Sequence, residues 1–148
     1  MKKFKFTLEA VNKHKLTIEK LQKAELKRAQ AIMQQLLDEE NRFKNAWIQT
    51  GESLDKILRS GENAVAALAE HDAYFRYLRE ALIKVKGKII KAQEVIDEIQ
   101  ERLILTMKEL KTYDKLRDEQ YQAYLKEVQI EEEKIIGDMV SFKIISEI

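Results

Sequence analysis

Two long α-helices folded back on one another as an antiparallel coiled-coil hairpin, with a helical overhang at the C-terminal end, form the all-α fold that this sequence predicts. Three observations lead there. Apolar residues recur at heptad spacing through the second half of the chain. A Ser60-Gly61-Glu62-Asn63 break lies near residue 60. No Pro occurs in 148 residues, so the commonest helix breaker is missing throughout.

The first helix is expected over about 8–59. Its apolar stripe reads Leu8, Val11, Ile18, Leu21, Ala29, Ile32, Leu36, Phe43, Trp47, Leu54 and Ile57. That spacing is helical but drifts toward the period of a straight helix. Gly51 falls within it as an expected weak point or kink. The turn follows at about 60–63, where Gly can end one helix and Ser or Asn can cap the next.

The second helix is expected over about 64–137 and carries the stronger signal. Phe75, Leu82, Ile89, Ile96, Leu103 and Leu110 hold one heptad position; Leu78, Val85, Ala92, Ile99, Thr106 and Tyr113 hold the other. Only Thr106 departs from an apolar or aromatic seam. Beyond Tyr113 the pattern slips by one residue and resumes as Tyr121, Tyr124, Val128, Ile135 and Phe142, a stutter that unwinds a supercoil without ending the helix. Residues 138–148 are expected as a frayed or helical tail.

Facing residues of an antiparallel pair have a nearly constant sum of residue numbers. Leu36 with Val85, Ile32 with Ile89, Ala29 with Ala92, Ile18 with Leu103 and Val11 with Leu110 all give 121, which centres on the expected turn. At about 1.5 Å per residue the paired length is on the order of 80 Å. The first helix then runs out opposite about residue 115–120, so Tyr121, Tyr124, Val128, Ile135 and Phe142 are expected to lack an intramolecular partner. One hairpin domain accounts for the whole chain, 1–148.

Composition removes several function classes. With no Cys there are no disulfides, thiolate metal sites or cysteine nucleophiles. Only two His are present, and Asp38-Glu39-Glu40 and Glu131-Glu132-Glu133 are contiguous rather than spaced for ligation on one helix face. No phosphate loop or nucleophile motif occurs, so neither enzyme activity nor a cofactor is expected. A net charge of +1 gives no global attraction to nucleic acid or membrane. Residues 1–28 hold nine Lys or Arg against three Glu, which suits a solvated face or an acidic protein partner better than a nucleic acid. Neither a signal peptide nor a membrane span is evident, so a cytoplasmic protein is expected.

The register gathers Phe43, Trp47, Tyr74, Phe75 and Tyr77 a few turns from the bend. Phe75 falls on the seam, whereas Tyr74 and Ala81 fall on its flank beside Leu78 and Val85. Five rings exceed what a two-helix core can cover, and exposed Trp and Tyr favour interfaces, so a docking patch stands beside a purely structural reading.

Two end segments carry a resemblance. Phe4-x-Phe6-x-Leu8-x-x-Val11 opens a charged helix, and Tyr124-Leu125-Lys126-Glu127 leads through Glu131-Glu132-Glu133-Lys134-Ile135-Ile136-Gly137-Asp138. Both are similar to the opening and closing segments of the flagellar export protein FliJ family, with Gly137 standing where that family more often has a helix former. The resemblance implies a central-stalk-like coiled coil that binds the flagellar export ATPase ring, promotes its assembly, and links it to the export gate at the inner face of the cell membrane. It also implies a part in escorting export chaperones. On this reading Tyr121, Tyr124, Val128 and Ile135 contact the ATPase. Phe43, Trp47, Tyr74, Leu78, Ala81 and Val85 contact the gate. The stalk protein of an injectisome-type system is the nearest alternative, and a structural spacer or self-associating coil the alternative from another class.

Overall fold

The computed structural model describes residues 2–61 and 63–147. Two helices account for nearly all of them, α1 over Glu9–Ser60 and α2 over Ala64–Glu147, and they pack against each other as an all-α hairpin with no strand among the described residues. Chain contacts gather into two compact units, Gln22–Arg102 and Met1–Leu21 with Leu103–Ile148.

α1 starts where the backbone first closes on itself: the Glu9 N–H donates to the Phe6 carbonyl at 3.2 Å and the Asn12 N–H to Leu8 at 2.8 Å. Glu9 in the first turn and Arg59 in the last suit the helix dipole. Gly51 neither ends nor interrupts α1, because a single Gly lowers helix stability without removing a backbone hydrogen bond. The stop comes at Gly61, with φ of 71°, and Ser60 Oγ donates to the Ile57 carbonyl at 2.7 Å. Asn63 has a φ of 48°, and its carbonyl accepts the Ala67 N–H as the first bond of α2. α2 runs through Gly137 to Glu147, so the tail expected as frayed or helical is helical to Glu147.

In the Gln22–Arg102 unit the core is apolar. Ala29, Ile96 and Ile99 form a buried cluster with Leu26 and Met33 against it, and Leu78 and Val85 are buried to 1% and 2% exposure. All twelve expected seam positions of α2, from Phe75 to Tyr113, are buried or half-buried. Of the stripe expected for α1, Leu8, Ile18, Ala29, Leu36, Phe43, Trp47, Leu54 and Ile57 are buried or half-buried. Val11, Leu21 and Ile32 are exposed. A ladder of covered positions runs through Asn12, Lys15, Glu19, Gln22, Leu26, Ala29, Met33, Leu36, Glu40, Phe43, Trp47, Thr50, Leu54 and Ile57, and Ile18, Glu39, Ala46 and Gly51 are half-buried beside it. That ladder is a strict heptad with alternating steps of three and four, not the drifting period of a straight helix. Choosing the greasiest residue at each turn shifts the reading by one position at Val11, Leu21 and Ile32.

The observed contacts depart from the constant sum of 121. It pairs Trp47 with Tyr74; the observed ring contact is with Phe75, centroids 4.6 Å apart. In the other unit it pairs Lys15 with Thr106 and Thr7 with Asp114. There Lys15 instead bridges Glu109 at 2.7 Å, and the Thr7 N–H donates to Gln120 Oε1 at 3.3 Å. Covered positions along this part of α2 read Tyr113, Leu116, Gln120, Tyr124 and Val128, and the run of four-residue steps is the stutter.

Candidate functional site

The unit formed by the two chain ends carries the first candidate surface. The short segment before α1 lies along α2. Phe6 is buried, and Phe4 sits edge-on against Tyr121 at 5.2 Å and tilted against Tyr124 at 5.5 Å. Tyr124 Oη donates to the Lys2 carbonyl at 2.9 Å, and Gln120 Nε2 donates to Thr7 Oγ1 at 2.9 Å. Tyr121 and Tyr124 therefore do have intramolecular partners, contrary to expectation. Val128 lines a cleft of about 870 Å³ with Lys2, Lys3, Lys5, Tyr124, Glu127 and Glu131, which sets N-terminal cations opposite two carboxylates.

Cover ends at Val128. Every described residue from Gln129 to Glu147 is exposed, including Ile135 at 52% and Phe142 at 74%. Ile135, Met139 and Phe142 continue the Tyr121–Tyr124–Val128 stripe at steps of three, four and seven, so one apolar face runs off the end of the covered region. Reading the sequence missed Phe4 as the cover for the two tyrosines, although Phe4-x-Phe6 is an apolar alternation next to a helix start. It also missed Met139.

The seam of this unit is polar at its α1 side. Asn12 and Thr106 are buried, and Asn12 Oδ1 has no hydrogen-bond partner; Gln22 Oε1, at the edge of the other unit, has none either. Glu109 accepts a hydrogen bond from Lys15 and holds its ammonium above the ordinary lysine range, against a weaker opposing effect of burial and with further support from the Glu109 and Tyr113 charges. The folded-state value is the higher one, so any stabilisation is complete at neutral pH and is lost only as pH rises through that raised value.

The second candidate surface lies in the Gln22–Arg102 unit, and it divides the six gate candidates. Leu78 and Val85 are almost fully buried in the seam between the helices, with Val85 at the floor of the groove that Phe43 and Ala81 line. Phe43 and Ala81 line one shallow groove of about 210 Å³ with Tyr77, Lys84 and Lys88. Tyr74 lines a neighbouring one of about 370 Å³ with Ala46, Thr50 and His71. Glu70, Tyr74, Tyr77, Ala81, Lys84 and Lys88 recur at steps of three and four, so both grooves share one flank of α2. Tyr74 and Tyr77 stack at 6.1 Å, 43% and 58% exposed. Trp47 belongs to the opposite flank, with Ile48, Leu82 and Ile83. The wheel position that buries one edge of Trp47 on Phe75 turns its other edge away from Tyr74.

Among the described residues no group of three His, Cys, Asp or Glu side chains is placed to hold a metal ion. His71 Nδ1 lies 2.7 Å from the Ala67 carbonyl and donates to it, which ties the ring to its own helix. No described helix is long and apolar enough to cross a membrane. Comparisons with protein-family models, with curated proteins and with solved structures give no match to this chain.

Proposed function

We propose that this protein is a non-enzymatic part of the bacterial flagellar type III export apparatus, a central-stalk-like coiled coil that binds the export ATPase ring and the export gate. Its place on this reading is cytoplasmic, peripheral to the inner face of the cell membrane. The observation that carries the proposal is the apolar stripe of α2 beyond Val128, where Ile135, Met139 and Phe142 lie uncovered at the end that also bears the Phe4-x-Phe6 segment. An apolar helical stripe beside alternating charge is suited to a groove between other helices. Glu131, Glu132 and Glu133 would set its orientation. The gate would meet Phe43, Tyr74, Tyr77 and Ala81 on their shared flank. Escort of export chaperones is part of the same reading.

The test is the hydrolysis rate of the cognate export ATPase with and without this protein. Clear stimulation is expected, together with more ring assembly. Ile135→Asp with Phe142→Asp should remove it, because both side chains are exposed and neither supports the hairpin. No stimulation by the native protein, with the ATPase shown active, would defeat the proposal.

The same stripe also favours a second reading, a self-associating coil in which two copies cover each other's helix ends. A solution mass of two chains that falls to one in the same double variant would favour it.

A further inference from the structure

On the flank of the Gln22–Arg102 unit opposite Tyr74 and Tyr77, Trp47, Ile48, Leu82 and Ile83 floor a groove of about 400 Å³, and Lys44, Arg79 and Lys86 form its rim. The floor is apolar and open to solvent: Ile48 is 58% and Ile83 65% exposed. The rim is entirely cationic, with no carboxylate lining it. Lys44 also bonds Glu40 on its own helix at 3.1 Å, which still leaves Arg79 and Lys86 one turn either side of Ile83.

The apolar character extends along the flank. Ile90, exposed at 62%, lies one heptad beyond Ile83 on α2, and Leu37 lies eleven residues before Ile48 on α1. A row of aliphatics on each of two antiparallel helices forms a trough that takes a third helix, with the aliphatics as knobs for its apolar face. A buried Trp edge at the centre, surrounded by aliphatics, is the composition of a binding hot spot.

We propose that this trough is the docking site for an amphipathic helix of a partner protein whose apolar stripe is flanked by Asp and Glu. The charge of the rim selects that occupant. A neutral or basic helix would leave Arg79 and Lys86 beside an apolar or cationic neighbour, whereas flanking carboxylates would pair with both. The inference is independent of the export reading.

Trp47 is the only tryptophan in the chain, so its emission reports on this groove alone. The probe is a synthetic helix of about 18 residues with Leu at i, i+3, i+4 and i+7 and Glu at the flanking positions. Titrated into the full chain, it should shift Trp47 emission to the blue and saturate. Ile83→Glu should weaken binding by about tenfold or more, as should Arg79→Glu with Lys86→Glu, while Tyr77→Ala on the other flank should not. The charge-reversed double variant should instead take up the same peptide with Lys in place of Glu. All four positions are exposed on α2, and helicity by circular dichroism establishes that each variant is folded. Equal binding of the Glu and Lys peptides, or full binding to Ile83→Glu, would overturn the proposal. A native chain of two-copy mass that becomes monomeric on Ile83→Glu would overturn it in favour of a second copy as the occupant.

Discussion

Gly61 and Asn63 both hold a left-handed backbone, at φ of 71° and 48°, one just after α1 and the other just before α2. A Cβ at Gly61 would meet nothing within 4 Å, so Gly61→Ala isolates the backbone strain and should destabilise by about 1 kcal/mol in urea titration. Gly87 also has open space around it but sits inside α2. There the same change should stabilise by about 0.5–1 kcal/mol, through helix propensity and a less free unfolded chain. Opposite signs from one substitution are the test; equal signs would mean that the backbone at Gly61 is not as described. Asn12 poses a different problem. Its Oδ1 is buried without a partner, so Asn12→Leu should stabilise by about 1 kcal/mol while loosening the register that a buried amide helps to specify. A loss of stability on the same titration would show that Asn12 has a partner that outweighs the orphaned oxygen.

The elements differ in what holds them. Ile96 is 6% exposed and packs with Ala29 and Ile99, so Ile96→Asp would place a carboxylate in an apolar cluster and should cost more than about 3 kcal/mol, enough to lose cooperative unfolding of the Gln22–Arg102 unit. The segment before α1 is held by two ring contacts and a few exposed hydrogen bonds; Phe4→Ala should cost about 1–2 kcal/mol and raise amide exchange in residues 2–8 without unfolding α2. The two helices, the turn and the complete α2 seam were legible in sequence, because each seam position from Phe75 to Tyr113 except Thr106 is itself apolar. Of the α1 seam, Ala29, Leu36, Phe43, Trp47, Leu54 and Ile57 were legible; its first four positions were not, because they are Asn12, Lys15, Glu19 and Gln22, and hydrophobicity points one residue away to Val11 and Leu21. The cover over Tyr121 and Tyr124 was hidden for another reason: it comes from Phe4, ahead of α1, and a reading confined to helix stripes leaves that segment out. Burial settles Leu78 and Val85 as core and divides Trp47 from Tyr74, distinctions that a flank assignment by heptad alone blurs.

At the scale of the whole molecule the two units draw on different interactions. The Gln22–Arg102 unit buries aliphatic side chains from both helices, whereas the unit formed by the chain ends places Asn12, Lys15 and Glu19 on the α1 side of its seam and buries Thr106 opposite. Apolar burial contributes roughly 25 cal/mol per Å², while paired polar groups at a half-exposed seam contribute little net. The ladder is unbroken through both units, so helical propensity does not distinguish them; the seam chemistry does. Native-state hydrogen exchange should therefore show higher protection at 26–36 and 85–99 than at 9–21 and 103–113, with the second pair of segments opening together at lower free energy. Asn12→Leu should narrow the gap by protecting both members of the weaker pair, as expected of groups that open as one unit. Uniform protection along both helices would instead mean that the polar seam is as stable as the apolar one. If the gap is found, the less stable unit is the one that carries Ile135, Met139 and Phe142. A helix end that is cheap to rearrange beside an uncovered apolar stripe can reshape itself on a partner without unfolding the apolar unit.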